Sequence, residues 1–145
     1  MKKNLEKFFK ECVIITGARG KIGANFVRFL LKNGYNVFGI SREVIDESEI
    51  VLDSRSHGNF YQYQVDLTKQ NSTDLIISSI KNFHLSPIGI INNARDIKNL
   101  KVNSDGSSNR INFQKEYLLN VVVPYELSLG LFRNFKSLSI KNFYV

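Results

Sequence analysis

Apolar residues along this chain gather in short runs of two kinds, and the way the kinds alternate predicts the architecture. Cys12-Val13-Ile14-Ile15-Thr16 is a compact, β-branched run that stops at Gly17, the pattern of a strand buried on both faces. Over residues 22–32 the spacing turns helical. Ile22, Phe26, Phe29 and Leu30 recur at steps of three and four and mark the expected inner face. Asn33-Gly34 ends that helix, since glycine tolerates the left-handed C-terminal position, and residues 36–41 form the second expected strand. Residues 60–65 read as a third strand. Asn71-Ser72 caps a helix to about residue 83 that carries Leu75, Ile76, Ile77 and Ile80, and residues 88–92 read as a fourth strand. A long helix is expected over 111–134 and a fifth strand over 140–145. Residues 3–10 suggest a short lead-in helix capped by Asn4. Between 43 and 59, Val44, Ile45, Ile50, Val51 and Leu52 suggest a short helix or loop packed on the sheet.

Strand, helix, strand, repeated, implies βαβ crossovers and a parallel sheet with helices on both faces. The expected fold class is α/β, a doubly wound, Rossmann-like parallel sheet. Residues 1–145 read as a single domain of that kind, cut off after about five strands.

Composition narrows the reading further. A chain of 145 residues, 43% hydrophobic and 23% charged, suits one globular core and excludes a fibre or a disordered tail. Cys12 is the only cysteine, which excludes an internal disulfide and points to a reducing cytoplasm. No apolar run approaches the roughly 20 residues of a membrane span. Glu6, Lys7, Lys10 and Glu11 interrupt any signal-peptide core, so no membrane association is expected. The net charge is +7, yet Lys and Arg are scattered singly among Asp and Glu, and no basic stripe marks a nucleic-acid partner. His57 and His84 have no paired-ligand spacing, so no metal site is expected.

The chemistry concentrates between the first strand and the first helix. Thr16-Gly17-Ala18-Arg19-Gly20-Lys21-Ile22-Gly23 has glycines at G-x-x-G-x-x-G spacing. In that position Gly17 permits a sharp turn, Gly20 lets backbone approach a pyrophosphate, and Gly23 lets the helix pack closely. The helix N-terminus offers free N–H groups to phosphate; a merely convenient tight turn is the plainer reading. After the second strand stand Ser41 and Arg42, where a site for NAD(H) usually has a carboxylate for the ribose 2′-hydroxyl. Arg42, with Arg19 from the loop, suits a 2′-phosphate, so NADP(H) is favoured over NAD(H). Both arginines are otherwise ordinary surface charges.

Four features in order resemble the short-chain dehydrogenase/reductase family: the glycine loop 16–23, Asp66-Leu67-Thr68, Asn92-Asn93-Ala94, and Asn120 in the long helix. The stretches 91–95 and 121–127 look especially like bacterial members associated with surface-polysaccharide synthesis. The resemblance implies an oxidoreductase that moves a hydride between the dinucleotide and a carbonyl or alcohol substrate. It implies that Asp66 bonds the adenine amino group with Leu67 beside the base. Asn92 and Asn93 would fix the fourth-strand turn, Ala94 would pass close to the nicotinamide ribose, and Asn120 would hold a water in the proton path. Asp66 also reads as a turn residue, and Asn120 as a buried amide satisfied by backbone. Arg95 stands where the family has Gly or Ala.

The family's Tyr-x-x-x-Lys pair and its Ser have no counterpart here: Tyr61 precedes Val65 by four, Tyr117 precedes Val121 and Tyr125 precedes Leu129. The chain is therefore expected to be the cofactor-binding part of such an enzyme, inactive alone. The alternative is a noncatalytic nucleotide-sensing or partner-binding module. The 111–134 helix, whose family counterpart lies in a subunit interface, is the expected surface for homo-oligomer formation or for association with a second chain.

Overall fold

The computed structural model describes residues 9–50, 57–95, 104–107 and 109–135. Along the chain these form β1 (Lys10–Thr16), α1 (Lys21–Lys32), β2 (Asn36–Ser41), α2 (Glu47–Ile50), β3 (Phe60–Gln64), α3 (Ser72–Asn82) and β4 (Leu85–Ile91). A continuous helical rod follows: α4 (Arg110–Tyr117), a π turn (Leu118–Val122) and α5 (Val123–Asn134). The four strands are all parallel and lie in the order β3-β2-β1-β4. The chain thus steps outward from β1 to β3 and then returns to the far side of β1. Beyond the carboxyl ends of β1 and β4, where the order reverses, the flanking connections diverge and leave a crevice.

Alternate residues of the central strands bury on opposite faces. Cys12, Ile14, Phe38 and Ile40 pack with Ile76, Ile77 and Ile80 of α3 and with Val123, Leu127 and Leu131 of α5. Ile15 and Val37 belong to the second core, with Val27 and Leu31 of α1 and Ile45 and Ile50 around α2. Each such side chain contributes about 1.5–3 kcal/mol when fully buried, so both faces of β1 and β2 must be apolar. That is why these strands read as continuous runs. The doubly wound α/β fold is the expected one.

Several details differ from the sequence expectations. The inner face of α1 is Gly23, Val27 and Leu31, whereas Ile22 and Phe29 are 65% and 63% exposed and Phe26 is exposed as well. Apolar residues fill the circumference outside the polar stripe of Lys21, Asn25, Arg28 and Lys32, so periodicity alone does not say which of them bury; the close approach of Gly23 to the loop before it does. Strand β1 starts at Lys10, inside the expected lead-in helix, the rest of which lies outside the described residues. β4 starts three residues early and takes in Pro87, which sits at a register shift where Cys12 pairs with Pro87 and Val13 with Gly89. Proline is tolerated at such a bulge. In α3, Leu75 is exposed, and Asn71 occupies the cap position without a side-chain capping bond.

In the poorly legible segment after β2, Ile45 is tied to β3 by the Gln62 side chain. Gln62 accepts from Ile45 N–H at 2.8 Å and donates to the Ile45 carbonyl at 3.1 Å. Val44 stays exposed, and residues 51–56 lie outside the described residues. The long helix starts at Arg110, with the Asn109 carboxamide oxygen accepting from Ile111 N–H at 2.9 Å. Its middle is a π turn rather than α-helix, with Val123 N–H donating to the Leu118 carbonyl. Pro124 has no N–H to return to the carbonyl of Asn120 four residues earlier, and the wider turn absorbs that loss. The expected fifth strand lies outside the described residues.

Cys12 is fully buried in the sheet, and burial pushes its thiol pKa up to about 12. The thiolate is the reactive form. The native protein is therefore expected to leave Cys12 unmodified by a thiol-reactive disulfide reagent at pH 8 and to react promptly in denaturant, as followed by thiolate release. Equal rates in both states would contradict the packing described for β1.

Candidate functional site

A cleft of about 630 Å³ opens at the carboxyl ends of all four strands. Its walls are the β1–α1 loop, the residues after β2 and β3, the turn after β4, and Leu119 and Asn120 of the π turn. Every sequence-predicted site residue except Thr16 and Gly23 lines it. Thr16 stands behind, holding the cleft together.

That role follows from its hydrogen bonds. The Thr16 hydroxyl accepts from the N–H groups of both Asn93 and Ala94, each at 3.0 Å. The Asn93 carboxamide reaches back and donates to the carbonyls of Thr16 and Gly17, each at 3.2 Å. Asn93 thus fixes the turn after β1 as much as the end of its own strand. Asn92, expected to share this task, is exposed and faces the cleft.

The loop turns at Gly17, whose φ of 67° lies in the left-handed region. A Cβ there would also sit 2.8 Å from the Ala94 Cα. Gly23 has an ordinary backbone, but a Cβ on it would collide with the Gly17 carbonyl oxygen. Between them, Gly20 donates its N–H to the Gly17 carbonyl at 3.0 Å and occupies the cap position of α1 without any side-chain acceptor. The first intrahelical bond runs from Ala24 N–H to the Gly20 carbonyl. The N–H groups of Lys21, Ile22 and Gly23 therefore have no helical acceptor, and no acidic side chain stands in the first turn to receive them. All three residues lie beside the cleft, Lys21 and Ile22 on its wall. Free N–H groups and the positive end of α1 fit an anion with several oxygens.

The second wall places charges where the sequence did not foretell them. Ala18 N–H donates to the Ile40 carbonyl at 3.0 Å, which pins the glycine loop to the end of β2. Just outside this tie, Arg19 forms an ion pair with Glu43 at 2.5 Å. Ser41 is buried, and its hydroxyl donates to the Glu43 carbonyl. Glu43 was not singled out in the sequence; its position two residues after a predicted strand end was the available signal. Arg42 is exposed on the wall, with its carbonyl accepting from Gln64.

Asp66 follows β3 and accepts from Thr68 N–H at 2.9 Å and from the Thr68 hydroxyl at 2.7 Å through one oxygen. Burial pushes its carboxyl pKa up, but the two Thr68 bonds and the charges of Lys69 and Arg42 outweigh that and hold it below the usual carboxylate range. One Asp66 oxygen is thus spent on the turn. Leu67 is buried in the core beneath α3 as well as bordering the cleft.

Asn120 is exposed in the π turn and donates at 2.9 Å to Glu116, so it is not the buried, backbone-satisfied amide that was one expectation. Glu116 is 5% exposed, and its other carboxylate oxygen has no partner among the described residues. Arg95 is exposed at the cleft margin.

Replacing Gly23 by Ala is expected to destabilise the fold by about 1–3 kcal/mol, the usual cost of forcing a methyl group into a filled space. Urea denaturation followed by circular dichroism measures it. Stability within about 0.3 kcal/mol of the parent would show that the loop lacks the close approach described.

The described fold aligns with a 3-oxoacyl-(acyl-carrier protein) reductase from Brucella melitensis at a TM-score of 0.75 and 17% identity, over 90% of this chain and 53% of that one. An NADH-dependent reductase complexed with NAD, A1-R', aligns at 0.73 and 17% identity, over 90% of this chain and 54% of its own. In sequence, the human protein dehydrogenase/reductase SDR family member 11 is 30% identical over 93 residues, 62% of this chain. The aligned part is 36% of the human protein, and the chain spans about half the length of the structural relatives. Residues 11–139 match the short chain dehydrogenase family as a whole, and the chain belongs to that family.

Proposed function

We propose that residues 1–145 are one dinucleotide-binding unit of a short-chain oxidoreductase, and that the dinucleotide is NADP(H) in preference to NAD(H). The observation that carries the reading is the uncapped N-terminus of α1, opening into a cleft at the reversal point of a parallel sheet. Lys21, Ile22 and Gly23 hold the pyrophosphate by their N–H groups. Asp66 presents its remaining carboxylate oxygen to the adenine amino group, with Leu67 beneath the base. Arg42 and Arg19 receive the 2′-phosphate, while Asn92 and Ala94 border the nicotinamide ribose. The bound dinucleotide supplies or accepts a hydride at a carbonyl or alcohol carbon.

Asn120 stands at the far end of the cleft, in the proton path of the complete reaction. No tyrosine in the sequence is followed four residues later by lysine, so the 145-residue chain alone carries out no turnover. The subgroup associated with bacterial surface polysaccharides rests on residues 91–95 and 121–127. A cytoplasmic setting is in keeping with a sole, buried cysteine. No helix among the described residues is long and apolar enough to cross a membrane.

Titration of the purified chain by NADPH and NADH fluorescence tests the reading. NADPH is expected to bind more tightly, and Arg42→Ala to weaken it about tenfold or more, the worth of a charge-assisted pair, with little change for NADH. Tighter binding of NADH, or turnover of a carbonyl panel by the chain alone, would overturn the respective claim.

A second reading concerns association. Phe113, Tyr117, Val121 and Tyr125 recur at four-residue steps along the α4–α5 rod, and all are exposed. Apolar rows of this kind mark contact surfaces. The chain is expected to self-associate through them and to become monomeric on Tyr117→Glu. Light scattering that shows a monomer of the parent chain at 100 μM, on the order of a weak complex's dissociation constant, would refute this.

A further inference from the structure

Four cations stand on the described wall of the cleft: Arg19, Lys21, Arg42 and Arg95. Arg19 is paired with Glu43. Arg42, together with Lys69, acts on the charge of Asp66. Lys21 opens α1, beside the N–H groups that suit a diphosphate. Arg95, after β4, is exposed and has no hydrogen bond or ion pair among the described residues. The two carboxylates of the wall, Glu43 and Asp66, follow β2 and β3. In the order β3-β2-β1-β4 those strands stand two and three spacings from β4, about 10 and 14 Å. Charges set on connections so far apart are largely screened in physiological salt. Glu116, behind Asn120, is buried and does not line the cleft. The other residues that line it from the β4 turn and the helical rod, Asn92, Asn93, Ala94, Leu119 and Asn120, carry no charge. The base of Arg95 is nevertheless fixed, because Ala94 donates its N–H to the Thr16 hydroxyl at 3.0 Å and Gly17 turns against it.

We infer that Arg95 is a substrate-binding residue, and that the substrate is a carbonyl or alcohol compound bearing an oxyanion, either carboxylate or phosphate. This rests on the dinucleotide reading above and deepens it by naming the substrate class. In that reading the diphosphate lies on the α1 floor and the adenosine on the β2–β3 side, while the β4 turn borders the ribose of the reacting ring. A cation on that turn faces the second ligand rather than the charges of the first. Its guanidinium presents a planar fork that meets a carboxylate or a phosphate in two parallel hydrogen bonds. Between walls from which a bound dinucleotide has displaced water, that attraction is stronger than on an open surface. The anchored backbone at Ala94 lowers the ordering cost of forming it. An oxyanion held at the cleft margin leaves the carbonyl or hydroxyl end of the substrate free to enter the cleft.

NMR titration of the isotope-labelled chain, saturated with NADP+, tests the inference. The probes are pyruvate, acetoacetate and levulinate, each against its methyl ester, and dihydroxyacetone phosphate against dihydroxyacetone. The oxidised dinucleotide cannot reduce these carbonyls, so binding alone is read. At least one anionic probe is expected to bind about fivefold or more tightly than its neutral counterpart, and Arg95→Gln to abolish that preference. The pair that shows it distinguishes a carboxylate from a phosphate. NADP+ itself is expected to bind Arg95→Gln within about threefold of the parent, as a residue that does not touch the dinucleotide should allow. A preference absent from every pair, or one that survives Arg95→Gln, would overturn the role of Arg95 and leave the dinucleotide reading standing. Weakening of NADP+ by more than about threefold in Arg95→Gln would also overturn it, because the guanidinium would then serve the dinucleotide. Failure of the parent chain to bind NADP+ would remove the dinucleotide reading itself, and the role of Arg95 with it.

Discussion

Two strands that lie side by side need not end in a usable site; here a single hydroxyl makes them do so. Thr16 Oγ1 takes two successive N–H groups from the end of β4, and Asn93 answers with its carboxamide on the carbonyls of Thr16 and Gly17. These polar groups sit at a part-buried seam, where an unmet donor costs about 1–3 kcal/mol. Because the seam is satisfied, Gly17 can turn against Ala94 and Gly23 can seat under the Gly17 carbonyl. The direction of α1, and hence the aim of its N-terminus, is set by that chain of contacts.

Around this fixed point the site divides by chemistry. The floor is backbone, with unpaired N–H groups at the positive end of α1, and its fit for an anion does not depend on side-chain identity. The β2–β3 wall is made of side chains on short connections, with cations and carboxylates interleaved: Arg19 with Glu43, and Asp66 between Arg42 and Lys69. Such a wall can change its selectivity by single substitutions while the floor stays as it is. The far wall is the helical rod, where the π turn brings Leu119 and Asn120 to the cleft.

Much of this was legible in the sequence, for definable reasons. Residues 12–16 and 36–41 are apolar on both faces and flanked by polar breaks, so the strands there could be read with little ambiguity. The glycine spacing located the floor because only a turn of this type needs small residues at those three points. The phase of α1 was only half legible: Lys21, Asn25, Arg28 and Lys32 mark its polar stripe, but Ile22, Phe26, Val27, Phe29, Leu30 and Leu31 fill the rest of the circumference and do not say which of them bury. The π turn was missed although Pro124 advertised a missing donor. Glu43 was missed because its significance lies in the partner 24 positions back in the chain, and no local pattern encodes a long-range ion pair. The double contact of Thr16 was invisible for the same reason: it joins residues that only the sheet makes neighbours.

The bare amino end of α1 has a consequence for the folded state as a whole. Most helices close that end with a serine, aspartate or similar acceptor of their own, and this one, with glycine in the cap position, does not. The N–H groups of its first turn are left open to a negatively charged solute. Any anion that binds there and not to the unfolded chain raises the stability of the fold by mass action. On the dinucleotide reading proposed above, the folded fraction would rise with the supply of that ligand.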